Sequence, residues 1–215
     1  MRVLQIIATC DARDGGPVEG VRQIGHFLRE FGVEQELLTI DPEGDPVADQ
    51  FGFVVHALGE QRPAGSGLFT RLRRWANHAP RARDWARAHV TDYDAVVVNG
   101  MWNYSTRIAR LALTDRRVPY VVYPHGTLDP WFKRRYPLKH AIKQLLWPFN
   151  EGPLLRAADA VLFTCEQERL LARGTFAPYR VNERIVAFGA GLPDAPDPEQ
   201  DRAFRAMVPA LGDRR

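Results

Sequence analysis

Cysteine is nearly missing: the 215 residues hold two, Cys10 and Cys165. Two thiols so far apart build neither a disulfide framework nor a zinc site. Each follows an apolar run, which predicts two buried free thiols, and a reducing cytosol suits them. Long apolar runs are missing too. No stretch approaches the ~20 residues a membrane span requires, and the opening M-R-V-L-Q-I-I-A-T-C-D reads as too short and too soon charged for a signal peptide. Charge of one sign is not in excess, since 29 Lys and Arg against 26 Asp and Glu leave a net charge of +3. That balance gives no reason to expect nucleic acid as a partner, for which a clustered basic face is needed. A G-x-G-x-x-G fingerprint is also absent, which weighs against a dinucleotide oxidoreductase or epimerase. There is no internal repeat and no low-complexity segment. What remains is an ordinary globular composition, 45% hydrophobic and 26% charged, on a chain long enough to bury a full core.

Short apolar runs alternate with longer amphipathic ones. V-L-Q-I-I-A (3–8), E-Q-E-L-L-T-I (34–40), F-V-V-H-A-L (53–58), D-A-V-V-V-N (94–99), P-Y-V-V-Y (119–123), A-V-L-F-T (160–164) and R-I-V-A-F (184–188) read as strands. Between them, Val18, Val21, Ile24, Leu28 and Phe31 recur at helical spacing, with Gly32 placed to close the helix. Residues 61–67 read as loop, and 68–89 as a basic helical region that Pro80 breaks or kinks. Asn103 is a good N-cap for a helix carrying Ile108, Leu111 and Ala112 inward, and 138–147 form the next helix. This alternation predicts a doubly wound α/β domain, a mostly parallel Rossmann-like sheet with helices on both faces. Ligands in such sheets bind beyond the carboxyl ends of the strands, near the switch in strand order. The loops at 9–17, 99–104, 124–136, 164–168 and 188–193 are therefore the ones to inspect. Residues 1–193 read as the domain, and the proline- and acid-rich 194–215 as a linker toward a further element.

Four features of these loops carry chemistry. Gly15–Gly16–Pro17 places bare backbone before a helix with proline in its first turn, so its N–H groups could hold a phosphate; an ordinary glycine helix start explains it equally, and Glu19 would oppose an anion. Asp41, after the second strand, only imitates a ribose-binding acid. His125–Gly126 ends a strand at the ligand edge, where the histidine could donate to a sugar hydroxyl or a developing oxyanion, or serve as a structural histidine bonded to local carbonyls. Thr164 with Gln167 matches a capping box, which accounts for Glu166 and Glu168 as helix N-terminal acids.

Two basic stretches stand out. W-F-K-R-R-Y-P-L-K-H-A-I-K-Q-L-L-W holds Lys133, Arg134, Arg135, Lys139 and Lys143 without an acid, among Trp131, Phe132, Leu145, Leu146 and Trp147. The stretch 69–89 carries Arg71, Arg73, Arg74, Arg81, Arg83 and Arg87 against Asp84, with Trp75 and Trp85. Basic amphipathic helices with tryptophan suit anionic membrane surfaces; solvated outer faces are the plainer alternative.

With these residues placed, three segments resemble family 4 glycosyltransferases of the two-domain GT-B type. They are D-G-G-P (14–17); V-N-G-M-W-N (98–103) followed by P-H-G-T-L-D-P-W-F-K-R-R (124–135); and R-A-A-D-A-V-L-F-T-C-E-Q-E (156–168), in which Cys165 replaces the usual serine. The resemblance covers essentially the whole chain and is to the N-terminal, acceptor-binding half. It implies retaining transfer from a nucleotide-sugar to a glycan or lipid-linked acceptor, with no cofactor and no required metal. It further implies that Gly15 and Gly16 approach the donor phosphates and that His125 lies by the transferred sugar. Asn99, Trp102, Asn103, Gly126, Asp129, Trp131 and Glu166 are then expected to line the cleft or hold the acceptor. Most of the nucleotide site would belong to a C-terminal domain or a separate donor-binding chain, without which this half should have little activity. The expected location is the cytoplasm, on the inner face of the cell membrane where the basic stretches touch lipid. A non-catalytic Rossmann-like binding module is the competing expectation.

Overall fold

The structure, a computed structural model, describes residues 1–60, 79–114, 117–187 and 198–208. Seven strands form one parallel sheet in the order β3-β2-β1-β4-β5-β6-β7. They are β1 (Arg2–Ile6), β2 (Glu34–Pro42), β3 (Val55–Gly59), β4 (Ala95–Asn99), β5 (Tyr120–Tyr123), β6 (Ala160–Phe163) and β7 (Glu183–Ile185). All seven strands expected from the sequence are present. The chain builds β1 to β3 outward in one direction, then returns to place β4 on the other side of β1. Adjacent strands β1 and β4 therefore send their connections to opposite sides, and a crevice opens beyond their carboxyl ends.

The two sheet faces differ in chemistry. On one, Leu4, Ile6, Leu38, Val96, Val98, Val122 and Phe163 form an apolar core. It is covered by α2 (Pro80–His89), α3 (Tyr104–Leu113) and α6 (Glu151–Ala157). The opposite face is covered by α1 (Gly16–Glu30), where Ile7, Cys10, Val18, Val21, Leu37 and Phe51 pack together. Polar residues are buried as well: Gln5, Gln35, Thr39, Asp41 and Asn99 are all almost fully enclosed. Buried amides must be hydrogen-bonded, or each costs about 1–3 kcal/mol, so their partners fix side chains rigidly.

Local chemistry sets the helix ends. Gly32 (φ +70°) closes α1 as expected: its N–H reaches Arg29 O and the Val33 N–H reaches Leu28 O, the two bonds of a Schellman motif. Asn103 caps α3, accepting from the Thr106 N–H at 3.2 Å and from Ser105 Oγ at 2.5 Å. Pro80 starts α2, because proline needs no N–H partner in a first turn; residues 61–78, and with them the rest of the basic region, lie outside the described residues. Phe31 does not face the core. It is exposed and packs against Phe27 on the surface of α1. Cys10 is buried as expected, but Cys165 is exposed, since it caps α7 (Glu166–Ala172) instead of continuing strand β6. Within the stretch read as a linker, Pro198–Met207 forms α8, none of it buried.

Candidate functional site: the crevice at the β1–β4 switch

At the carboxyl end of β5 the chain turns through His125 (φ +50°) and Gly126 (φ +73°). A non-glycine residue in this region costs about 1–2 kcal/mol, and the fold recovers it by enclosing the ring. Tyr123 stacks on the imidazole at 5.3 Å and 14°. His125 Nε2 meets Asn99 Oδ1 at 3.0 Å. From there a line of side-chain amides crosses the sheet. Asn99 Nδ2 donates to Gln5 Oε1 at 2.8 Å, Gln5 Nε2 to Gln35 Oε1 at 3.0 Å, and Gln35 Nε2 to Val21 O at 3.0 Å.

The end of this relay fixes its direction. Val21 O can only accept, so Gln35 presents its NH2 to α1 and its oxygen to Gln5, and the same constraint passes to Asn99. Asn99 Oδ1 must then face the ring, and His125 carries its proton on Nε2. Burial pushes the imidazole pKa down to about 4, against the pull of Glu168, so the ring is neutral at pH 7. Nδ1 is then an acceptor. The Nε2 proton goes to the Asn99 side-chain carbonyl, the kind of local partner that a structural histidine would also have. Gly25 makes room for the relay, because a Cβ there would stand 2.5 Å from Gln35 Nε2.

Glu168 supports the loop from below. Its carboxylate accepts from the Gly126 N–H at 2.7 Å and from the Thr164 N–H and Oγ1, both at 2.8 Å. The cap is thus one residue later than expected: Cys165 Sγ accepts from the Glu168 N–H at 3.5 Å, while the Glu168 carboxylate reaches the Thr164 N–H just before the cap rather than the cap residue's own. Glu166, expected in the cleft, faces solvent and pairs with Arg169 at 2.5 Å. It is the first residue of α7, and the helix rotation points it away.

The first loop is tied to the sheet by Asp41. That carboxylate accepts from Thr9 Oγ1 (2.7 Å), the Cys10 N–H (2.7 Å), Cys10 Sγ (3.1 Å) and Thr39 Oγ1 (2.6 Å), which leaves it no role as a ribose ligand. Beyond this anchor Gly15 (φ +95°) and Gly16 open α1 without a side-chain cap. A Cβ at either would meet nothing within 4 Å, so the backbone there is open to close approach, although the Gly15 N–H is already given to Ala12 O at 3.2 Å. Glu19 is held by Arg22 at 2.6 Å and by Gln23, which offsets its charge.

Asn99, His125, Gly126 and Glu168 are therefore joined directly, and Gly15–Gly16 emerges from the adjacent strand end. Asn103 and Asp129 are committed as helix caps, Asp129 accepting from the Trp131 N–H at 2.6 Å to start α4 (Pro130–Arg135). Trp102 (φ +66°) packs on Phe176 (4.9 Å) and Trp147 (5.9 Å), beneath Lys143 Nζ at 4.7 Å. Its buried Nε1–H has no partner among the described residues. Trp131 is half exposed against Phe132 and Tyr136. Lys133, Arg134, Arg135 and Lys139 are exposed, and Lys143 is partly covered, on α4 and α5 (Pro137–Leu146). Arg71, Arg73 and Arg74, and the loop 188–193, lie outside the described residues. Sequence reasoning missed Gln5, Gln35 and Glu168. A glutamine in the middle of the apolar run V-L-Q-I-I was the available signal, since buried strands rarely carry an amide without a partner.

Among the described residues no group of three or more His, Cys, Asp or Glu could hold a metal ion, and no helix is long and apolar enough to cross a membrane. A cavity of about 630 Å³ lies at the opposite sheet edge, by Tyr120 and Arg156, away from the strand ends where this fold binds ligands.

Among solved structures, a glycosyltransferase from Rickettsia africae superposes with a TM-score of 0.56 at 13% identity, covering 99% of this chain and 50% of that one. A MurG from Acinetobacter baumannii reaches 0.48 at 14% identity, with 88% of this chain and 46% of that one covered. A UDP-GlcNAc 2-epimerase from Neisseria meningitidis, bound to UDP-GlcNAc, reaches 0.49 at 16%, with 80% and 43% covered. At these identities the likeness speaks to the fold, and the Rickettsia structure carries it: a Rossmann-like sheet spanning about half the length of that glycosyltransferase. No curated protein matches the chain. Residues 15–191, well over half of the sequence, match the glycosyl transferase 4-like domain, and the chain belongs to that family.

Proposed function

We propose that this chain is the N-terminal, acceptor-side wall of a GT-B glycosyltransferase. It transfers a sugar from a nucleotide-sugar to a glycan or lipid-linked acceptor, with retention and without a metal. The carrying observation is the polarised relay from Val21 O to His125, in which α1, β2, β1 and β4 together hold one imidazole in one tautomer. Glycosyl transfer passes through a cation-like sugar with a departing diphosphate, so the site must place dipoles without adding positive charge. A neutral His125 accepting from a sugar hydroxyl satisfies that; an imidazolium would oppose it. Gly15 and Gly16 let the donor phosphates approach the start of α1, with the Gly16 N–H as the donor there, since the Gly15 N–H is given to Ala12 O. A second Rossmann-like domain or a separate donor-binding chain supplies the rest of the nucleotide site.

The acceptor side faces an anionic membrane surface from the cytoplasm. Leu138, Ile142 and Leu145 are 81%, 57% and 71% exposed, and no residue of α5 is buried. Lys133, Arg134 and Arg135 on α4 and Lys139 on α5 are exposed and pair with no carboxylate among the described residues. Exposed apolar side chains together with unpaired cations on the same two helices complement an anionic lipid face. On α2, by contrast, Arg81 pairs with Glu43 and Arg83 with Asp84, and Trp85 packs between His56 and His89. The test is a screen of nucleotide-sugars and lipid-linked acceptors with the complete enzyme or reconstituted pair. His125→Ala should lower turnover by about 100-fold or more with an unchanged circular dichroism spectrum. Near-normal activity would remove His125 from the site, and no turnover with any donor would favour a binding module.

A further inference from the structure

Beside the His-Gly loop lies a cavity of about 260 Å³ between α4, α5 and the Thr175–Phe176 segment. Thr127, two residues past His125, forms one wall; Tyr136 and Phe176 present aromatic faces; Lys139, His140 and Lys143 bring their basic groups to it, and no acidic side chain lines it. Neither lysine is paired with a carboxylate among the described residues. Their contacts are with aromatic rings, Lys139 Nζ over Tyr136 at 5.2 Å and Lys143 Nζ over Trp102 at 4.7 Å. His140 stacks on Phe176 at 4.7 Å.

This grouping is electrostatically unbalanced. Burial lowers the pKa of Lys143; Lys139 adds to that, and Glu151 acts the other way. Burial lowers that of His140 too, with Lys133 and Lys143 adding to it. Glu151 itself is committed to Thr106 and Asn150. Lys139 is exposed and Lys143 partly covered, and two lysines at a cavity with no acidic side chain in its lining are better satisfied when an anion completes the site. Lysines act as point charges suited to phosphate, whereas a carboxylate is more often gripped by the planar fork of arginine, and no arginine lines this cavity. The flanking aromatic rings offer flat apolar faces to a sugar ring or a headgroup.

We propose that this cavity is a subsite for a phosphate group carried by the acceptor, held by Lys139 and Lys143 with His140 alongside. The assignment to an acceptor rests on the transferase reading above. The phosphate belongs either to a soluble sugar phosphate or to a lipid headgroup, and both present the same group to the lysines.

The experiment titrates the protein with glucose 6-phosphate, glucose and glucuronate while following the His140 ring by NMR. Glucose 6-phosphate should shift the ring signals and raise the His140 pKa, and glucose at equal concentration should do neither. Lys143→Met should weaken glucose 6-phosphate binding tenfold or more and Lys139→Met several-fold. Arg107→Met, which removes an exposed cation outside the cavity, should leave it unchanged. Displacement by phosphatidylglycerol vesicles, but not phosphatidylcholine vesicles, would support the site with a lipid source; no displacement would support it with a soluble one. Equal binding of glucose, tighter binding of glucuronate, or unaltered affinity in both lysine variants would overturn the proposal. Equal weakening by Arg107→Met would overturn it too, reducing the effect to diffuse attraction. Transfer to a phosphorylated acceptor that ignores both lysine variants would sink the subsite and leave glycosyl transfer standing. Lysine-dependent phosphate binding without turnover of any nucleotide-sugar would sink the transferase reading instead.

Discussion

Replacing Asn99 by aspartate exchanges one NH2 for one oxygen at nearly constant volume, yet it should be costly here because the relay has a fixed direction. Asn99 Nδ2 gives its proton to Gln5 Oε1 at 2.8 Å. An aspartate oxygen in that place faces another acceptor. Gln5 cannot turn around, because its own NH2 is needed by Gln35, whose NH2 is committed to Val21 O. The unpaired Gln5 oxygen and the new buried charge together should cost about 2–5 kcal/mol. For a chain of this size that lowers Tm by about 4–20 °C. The carboxylate beside Nε2 should also raise the His125 pKa from its value of about 4. The pH dependence follows in sign. In the native protein His125 is depressed below its ordinary 6.5, so the unfolded chain takes up the proton first. Stability is full above pH 6.5 and falls as pH drops toward 4, by roughly 3 kcal/mol at ~1.4 kcal/mol per tenfold in acidity. In the Asn99→Asp variant that acid loss shrinks, so the gap between variant and native protein should narrow over the same window. Thermal unfolding at several pH values and an NMR titration of the His125 ring measure both effects. A variant with native Tm and an unmoved His125 titration would refute the direction of the relay.

Glu168→Ala removes the acceptor shared by Gly126 and Thr164 and should cost about 2–3 kcal/mol, whereas Glu166→Ala, at an exposed ion pair, should leave the unfolding midpoint essentially unchanged. Denaturant unfolding of the pair checks this, and equal effects would contradict the loop-support role. Gly25→Ala drives a methyl group into Phe53 and Gln35; a loss of about 1–3 kcal/mol is expected, with the His125 ring signals shifted through the relay. Vesicles containing phosphatidylglycerol should bind the protein in a salt-sensitive way. Ile142→Glu and Leu145→Glu together should abolish that binding, while equal binding to neutral vesicles would return α5 to a plain solvated face.

The strands were legible because parallel strands buried on both faces are mostly apolar, as the V-V-V of β4 and the V-V of β5 are. The helix ends at Gly32 and Asn103 were legible because caps are local chemistry. Errors came where two local solutions competed. Thr164–Gln167 and Cys165–Glu168 are equally spaced, and only the Gly126 N–H, held 2.7 Å from Glu168, selects the second. Phe31 fits the helical spacing of α1, but it is exposed, with the Phe27 ring beside it.

Periodicity and residues adjacent in the chain were enough to establish the alternation of strands and helices. They also marked the loop that carries His125 and Gly126, and the basic apolar stretch from Trp131 to Trp147. Three things needed the folded chain: that Gln5, Gln35 and Asn99 form one relay, that His125 is a neutral acceptor, and that Lys139 and Lys143 share a cavity with no carboxylate lining it. Gln5 and Asn99 are 94 residues apart and meet because β4 returns to lie against β1. Their hydrogen-bond direction is imposed by a carbonyl on α1, information that no single stretch of sequence contains.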